Sequence, residues 1–225
     1  MIAALLAAAL VLGYVVIDIA TREPGRDAVR VEGIERAQAT FGGVPQAADR
    51  LGSADAPVSV QVFADLQCAA CRDDFLALIP TLAEHYARPG DARLLMRHYS
   101  IARNPLELGF FGAEAAAQQG YGWQYTYLFF RNQGEAERFG IGDRLLESLA
   151  GSIGELDVRE WRDYLDQEGG EEGAITETLE GYAEQGAELG VRSDVATLIN
   201  GPGGTRMLQD GPSLGAVERA IGEVE

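Results

Sequence analysis

The fold of this chain is decided by residues 58–71, which read VSVQVFADLQCAAC. The first seven of these residues are largely apolar and rich in Val, which is typical of a buried β-strand. The last four place Cys68 and Cys71, the only cysteines among 225 residues, three positions apart. An apolar-periodic run follows and predicts a helix over residues 68–88, kinked at Pro80. The cysteine pair is therefore expected where a strand passes into a helix.

A thiol at the N-terminus of a helix lies where unpaired backbone N–H groups and the helix dipole favour negative charge. This placement lowers the pKa of the thiol and increases the fraction of thiolate, the form that attacks disulfides. The alternatives are two small buried residues or half of a zinc site. A structural zinc site needs four ligands, and the two histidines, His85 and His98, lack paired metal spacing. The strand–turn–helix context favours redox chemistry, and no metal site is predicted.

The charge of the chain restricts its partners. It contains 35 acidic residues and 18 basic residues, all of them Arg, for a net charge of −17. Nucleic-acid binding requires a basic stripe, so no nucleic-acid partner is predicted. The acidic excess is interpreted as a solvated surface that aids solubility.

The N-terminal residues predict a membrane segment. Residues 2–17 contain no charge and are rich in Ala, Leu and Val, and the stretch 2–19 approaches the length that spans a bilayer. We interpret residues 1–20 as an uncleaved single-pass anchor, with a cleaved signal peptide or a buried core helix as the alternatives. Arginines follow this segment and none precedes it, so the positive-inside rule alone would place the rest of the chain in the cytoplasm. Residues 21–50 are polar and Gly- and Pro-containing, and are expected to form a linker with one short ordered stretch at residues 29–37.

The remaining chain predicts an α/β domain over residues 51–225. A second strand at residues 93–98 completes a βαβ unit, which should be right-handed with a parallel strand pair. Helical spacing then continues through an insertion at about residues 104–189. A ββα unit closes the domain, with strands at 196–200 and 205–209 and a final helix at 214–224. In the inserted helices the aromatic residues from Trp123 to Phe130 are interpreted mainly as core and in part as an interaction surface.

This order of elements resembles the thioredoxin fold with a helical insertion, and specifically the DsbA family of extracytoplasmic thiol–disulfide oxidoreductases. The resemblance is carried by six segments, which read LGSADAPV at 51–58, FADLQCAAC at 63–71, RHYSI at 97–101, AAAQQG at 115–120, GVR at 190–192 and ING at 199–201. It implies an anchored domain outside the cytoplasm, with protein thiols or disulfides as substrates. A redox partner protein would exchange electrons with the pair, with the oxidising and the reducing direction both open, and no cofactor is implied.

The resemblance also assigns roles to residues. Cys68 would be the attacking thiolate and Cys71 the resolving thiol of a redox-active disulfide. Two departures from the family pattern matter. Ala69 and Ala70 separate the cysteines where the family usually has Pro or His, which implies a less stabilised thiolate and a less oxidising couple. Val195 stands where the family has a cis-proline facing the cysteines, so a trans peptide bond and a side chain covering the cysteines are expected there.

Other residues and functions remain open. Asp65 is interpreted as a cap of the cysteine helix, or alternatively as a proton acceptor for Cys71. His98 is expected to be a satisfied core residue. Because Val195 replaces the proline, the rival function is a catalytically weak thioredoxin-fold binding module. A third possibility is metal or iron–sulfur capture by two cysteine pairs across a dimer.

Overall fold

The computed structural model of the chain describes residues 29–100 and 108–225. Within these two stretches no helix combines the length and apolarity needed to cross a membrane. The anchor predicted for residues 1–20 lies outside the described residues, as do residues 21–28 of the predicted linker.

A single mixed sheet organises the described residues. Its strands are β1 Gln46–Ala47, β2 Arg50–Leu51, β3 Val58–Ala64, β4 Ala92–His98, β5 Val195–Gly201 and β6 Gly204–Leu208. Across the sheet they lie in the order β1-β2-β4-β3-β5-β6. β3 and β4 are parallel, whereas β5 pairs antiparallel with both β3 and β6. The predicted βαβ and ββα units are thus confirmed.

Strand β3 is apolar throughout because both of its faces are covered. Val58, Val60 and Val62 point into the main core, and each is at most 1% exposed. On the opposite face Phe63 is fully buried and contacts the ring of Tyr99 edge-on, at 5.7 Å between centroids. The alternation of side chains along a strand sends these residues to two separate clusters. A two-sided central strand is what the continuous apolar run predicted.

The helices flank this sheet. The helices at residues 108–188 follow β4 and precede β5 along the chain, and they form the predicted helical insertion. The cysteine helix α2 continues through Pro80 and is followed by a π-helical turn at Ala83–Ala87. The helices are α1 Ile34–Phe41, α2 Ala69–Leu82, α3 Leu108–Gln118, α4 Gly122–Arg131, α5 Gln133–Phe139, α6 Asp143–Gly151, α7 Val158–Glu168, α8 Ala174–Glu188 and α9 Leu214–Val224.

The folded region begins before residue 51, in the segment expected to be linker. Helix α1 ends at Phe41, which is fully buried and packs against the rings of Trp123 and Tyr127 at 6.4 and 5.7 Å. Strands β1 and β2 then extend the sheet. The ordered stretch expected at residues 29–37 overlaps α1, and the linker interpretation of residues 38–50 is corrected. These elements are too short to give a clear periodicity, and they are stabilised by tertiary packing rather than by local propensity.

The aromatic residues of α4 form core, as mainly predicted. Trp123, Tyr125, Phe129 and Phe130 are each at most 1% exposed. Phe75 of α2 stacks on Trp123 at 6.4 Å and contacts Phe130 at 4.7 Å. The helical insertion therefore packs directly against the helix that carries the cysteines.

Candidate redox site

Cys68 and Cys71 form a disulfide at the start of α2, with their Cα atoms 5.1 Å apart. Cys68 is the N-cap residue in an extended backbone conformation, and Cys71 lies in the first turn. The backbone N–H of Cys71 donates a hydrogen bond to Cys68 Sγ at 3.1 Å. The predicted position of the pair at a helix N-terminus is therefore confirmed. A donor already directed at Cys68 Sγ would also stabilise a negative charge on that sulfur.

The two cysteines differ in exposure. Cys71 is fully buried, whereas Cys68 is half-buried and is followed by exposed Ala69 and Ala70. A macromolecular thiol can therefore approach Cys68 and not Cys71. This asymmetry fits the predicted roles of attacking and resolving thiol, which remain predictions.

A cation beside the cysteines, Arg72, is already paired. Its Nε donates to Asp73 Oδ1 at 2.9 Å. This hydrogen bond and the charge of the Asp73 carboxylate raise the pKa of the Arg72 guanidinium. The positive charge of Arg72 is thus partly offset by the Asp73 carboxylate. A thiolate at Cys68 would depend mainly on the helix N-terminus and the Cys71 N–H.

Asp65 lies in the turn before the cysteines and is only 1% exposed. Its Oδ1 accepts a hydrogen bond from the N–H of Gln67 at 2.8 Å, and its carbonyl accepts from the N–H of Cys68 at 3.2 Å. The residue that caps α2 is Cys68, so the interpretation of Asp65 as the helix cap is wrong. A cap at Asp65 would require the helix to begin at residue 66. Because α2 begins at Ala69, the sulfur of Cys68 occupies the capping position. The role of Asp65 as a proton acceptor remains a prediction.

Val195 opens strand β5 opposite Ala64 and is 6% exposed. Its peptide bond to Asp194 is trans, as are all peptide bonds in the described stretches. The carbonyl oxygen of Asp194 lies 3.3 Å from Cys71 Sγ and also accepts the N–H of Asp65 at 3.3 Å. The Val195 side chain belongs to the same buried cluster as Cys71. This strand end therefore packs against the buried sulfur and leaves Cys68 partly accessible.

Sequence reasoning missed Gln133, the first residue of α5. Its side-chain Nε2 donates to the carbonyls of Leu66 and Cys68 at 2.7 and 3.2 Å. No local signal marked it, because α5 is seven residues long and polar and its partners are far away in the chain.

His98 lies in the core, as expected. His98 ends β4 and is 3% exposed. Its Nδ1 lies 2.7 Å from Glu114 Oε1, and its Nε2 lies 3.1 Å from Thr126 Oγ1. His98 is therefore a satisfied core residue, while His85 is exposed. Across the described residues, no group of three or more His, Cys, Asp or Glu side chains is placed to hold a metal ion.

Comparison with known proteins agrees with this geometry. The family model described as Thioredoxin matches residues 46–186. The probable disulfide bond formation protein D of Bacillus cereus is 26% identical over 154 residues, which cover 67% of this chain and 69% of that protein. The protein of the same name in Bacillus anthracis is 24% identical over the same fractions of the two chains.

Solved structures share the fold. Oxidised BdbD from Bacillus subtilis superposes with a TM-score of 0.65 at 18% identity, over 80% of this chain and 95% of that one. Alpha-DsbA1 from Wolbachia pipientis gives a TM-score of 0.61 at 14% identity, over 78% and 89% of the two chains. These solved structures show the fold, and the family match together with the cysteine pair defines the class of the protein. The chain belongs to the thioredoxin family and is a DsbA-like thiol–disulfide oxidoreductase.

Proposed function

We propose that this chain exchanges disulfides with protein substrates through Cys68, in a domain held by residues 2–19 at the outer face of a cell membrane. The observation that carries the exchange reaction is the half-buried sulfur of Cys68 at a helix N-terminus above a fully buried Cys71. Relatives named for disulfide bond formation support the oxidising direction.

In that direction a substrate thiolate attacks Cys68 Sγ. The new sulfur–sulfur bond forms as the Cys68–Cys71 bond breaks, and Cys71 leaves with the electron pair and takes up a proton. A second substrate thiolate then attacks the substrate sulfur of this mixed disulfide and expels Cys68 as a thiolate. The substrate is oxidised by two electrons and the cysteine pair is reduced. A redox partner protein would return the pair to the disulfide by the same exchange chemistry.

The site stabilises the two leaving groups, Cys71 and Cys68, through different contacts. Cys71 would leave into a dry environment, where its thiol can donate to the Asp194 carbonyl that now lies 3.3 Å from the sulfur. Cys68 would leave as a thiolate that accepts the N–H of Cys71. Because Arg72 is paired with Asp73, its positive charge adds only weakly to this stabilisation. We therefore expect an oxidant of moderate strength, since oxidising power depends on the stability of the reduced form.

Disulfide exchange with a reduced protein substrate tests the reaction. Cys68→Ser should abolish exchange. Given a disulfide-bonded substrate instead, Cys71→Ser should accumulate mixed disulfides, because Cys68 attacks the substrate disulfide and no Cys71 thiol is left to resolve the product. Equal exchange by the wild type and Cys68→Ser would exclude the enzyme reaction. That outcome would leave the binding module, which the trans peptide bond before Val195 favours.

Fractionation tests the anchor separately. The full chain should sediment with membranes, and deletion of residues 1–27 should release it. A membrane-impermeant thiol reagent should label reduced Cys68 in intact cells. Labelling only after lysis would support the opposite orientation, which Arg22, Arg26 and Arg30 favour by their position.

A further inference from the structure

Gln133 is a buried amide directed at the turn that holds the reactive cysteine. Its side chain comes from the helical insertion, and the residue is 3% exposed. The amide group donates to the carbonyls of Leu66 and Cys68, on both sides of Gln67. Its own oxygen, Oε1, is buried and has no hydrogen-bond partner among the described residues. The amide thus uses its donors at the cysteine turn and leaves its acceptor unsatisfied.

An unsatisfied buried oxygen costs free energy, and an apolar side chain of the same size would avoid that cost. Simple packing between α5 and the cysteine turn therefore does not account for a Gln at this position. The two hydrogen bonds donated by the amide do account for a Gln, because they offset the negative partial charge of carbonyl oxygens beside the sulfur that must carry negative charge. The Cys68 carbonyl already accepts the N–H of Arg72 at 3.1 Å, so the amide is a second donor to it.

We propose that Gln133 is a positioning residue for the redox pair, an inference that rests on the proposed exchange at Cys68. By holding the turn at residues 66–68, the amide keeps Cys68 Sγ over the N–H of Cys71. By compensating the two carbonyl oxygens, it lowers the free energy of the Cys68 thiolate. The helical insertion thereby tunes the chemistry of a cysteine from which it is separated by 65 residues along the chain.

The adjacent residue offers a matched control. Asn132 is also a buried amide, 4% exposed, at the same junction of α4 and α5. Its side chain bonds the carbonyls of Leu128 and Glu32 and accepts the N–H of Glu32. None of these contacts reaches the cysteine turn. Loss of Asn132 should therefore cost stability without changing the thiolate.

The test measures the pH dependence of Cys68 alkylation by iodoacetamide, in a Cys71→Ser background that leaves Cys68 free. Gln133→Met removes both donors and keeps the approximate volume. We expect the alkylation midpoint to rise by at least half a pH unit, roughly a three-fold loss of thiolate below the midpoint. In proteins that retain both cysteines, the equilibrium with glutathione should shift roughly three-fold toward the disulfide, equivalent to about 14 mV. Asn132→Leu should leave both values unchanged.

If Gln133→Met does not fold, Gln133→Asn provides the same test, because the shorter amide cannot reach both carbonyls. A midpoint equal to that of the parent, or an equal shift in Asn132→Leu, would overturn the proposal and leave Gln133 as packing. The alkylation measurement needs no protein substrate. Failure of the proposed exchange reaction would therefore be seen separately, as inactivity of the unmutated chain toward reduced protein.

Discussion

The pairing of Arg72 with Asp73 leads to a prediction that separates charge from local geometry. Asp73→Asn removes a carboxylate in the second turn of α2 and frees the guanidinium of Arg72 beside the cysteines. Both changes favour negative charge at Cys68. The pKa of the Cys68 thiol should therefore fall, and its reactivity at neutral pH should rise.

The size of this effect follows from helix geometry. Asp73 lies five positions after Cys68, which at a rise of 1.5 Å per residue is about 7.5 Å along the axis. The Asp73 side chain is 71% exposed, so a dielectric constant near that of water applies. Coulomb's law then gives about 0.5 kcal/mol for removal of the carboxylate, or about 0.4 pH unit in the thiol pKa. Salt should weaken the shift, since the Debye length falls from about 30 Å at 0.01 M to about 3 Å at 1 M.

Iodoacetamide alkylation against pH, in the Cys71→Ser background, measures the shift at low and high salt. Arg72→Ala serves as the control, because removal of the cation should move the midpoint in the opposite direction. An unchanged or higher midpoint in Asp73→Asn at low salt would refute the electrostatic account. A shift that persists in 1 M salt would also refute it, because exposed charges are screened there.

Three further predictions concern docking and stability. Val195→Pro should increase the rate of exchange with a protein substrate more than with glutathione, because the family's proline presents backbone to a substrate strand; equal changes in both rates in a folded variant would contradict this. Burial raises the pKa of Tyr125 well above its usual range. Its contribution to stability is therefore complete below about pH 10 and is lost as the pH rises further, by up to about 1.4 kcal/mol per pH unit. Denaturant titrations should show a smaller alkaline loss in Tyr125→Phe, and identical slopes would exclude Tyr125 as a source. Phe41→Ala should lower the free energy of unfolding by about 3–5 kcal/mol because the ring is fully buried. Ile34→Ala on the same helix, at a residue 41% exposed, should cost less than about 1 kcal/mol; equal costs would show that α1 is not part of the core.

The sequence by itself determined the parts of the fold that depend on local pattern. The apolar run at residues 58–64 defined a central strand, and the cysteine spacing that follows placed a thiol at a helix start. The order of strands and helices then restricted the topology to a βαβ unit, a helical block and a ββα unit. These features are readable because periodicity, turn residues and helix termini act over a few neighbouring positions.

The tertiary structure decided what surrounds the cysteines. The Gln133 amide reaches Cys68 from 65 residues away, and the Asp194 carbonyl reaches Cys71 from 123 residues away. The core position of Phe41 depends in the same way on rings of α4, and the burial of Cys71 beneath a half-buried Cys68 depends on packing within the main core, which includes Val195. A sequence pattern cannot specify such contacts, because each depends on the path of the chain between the partners rather than on the residues beside them.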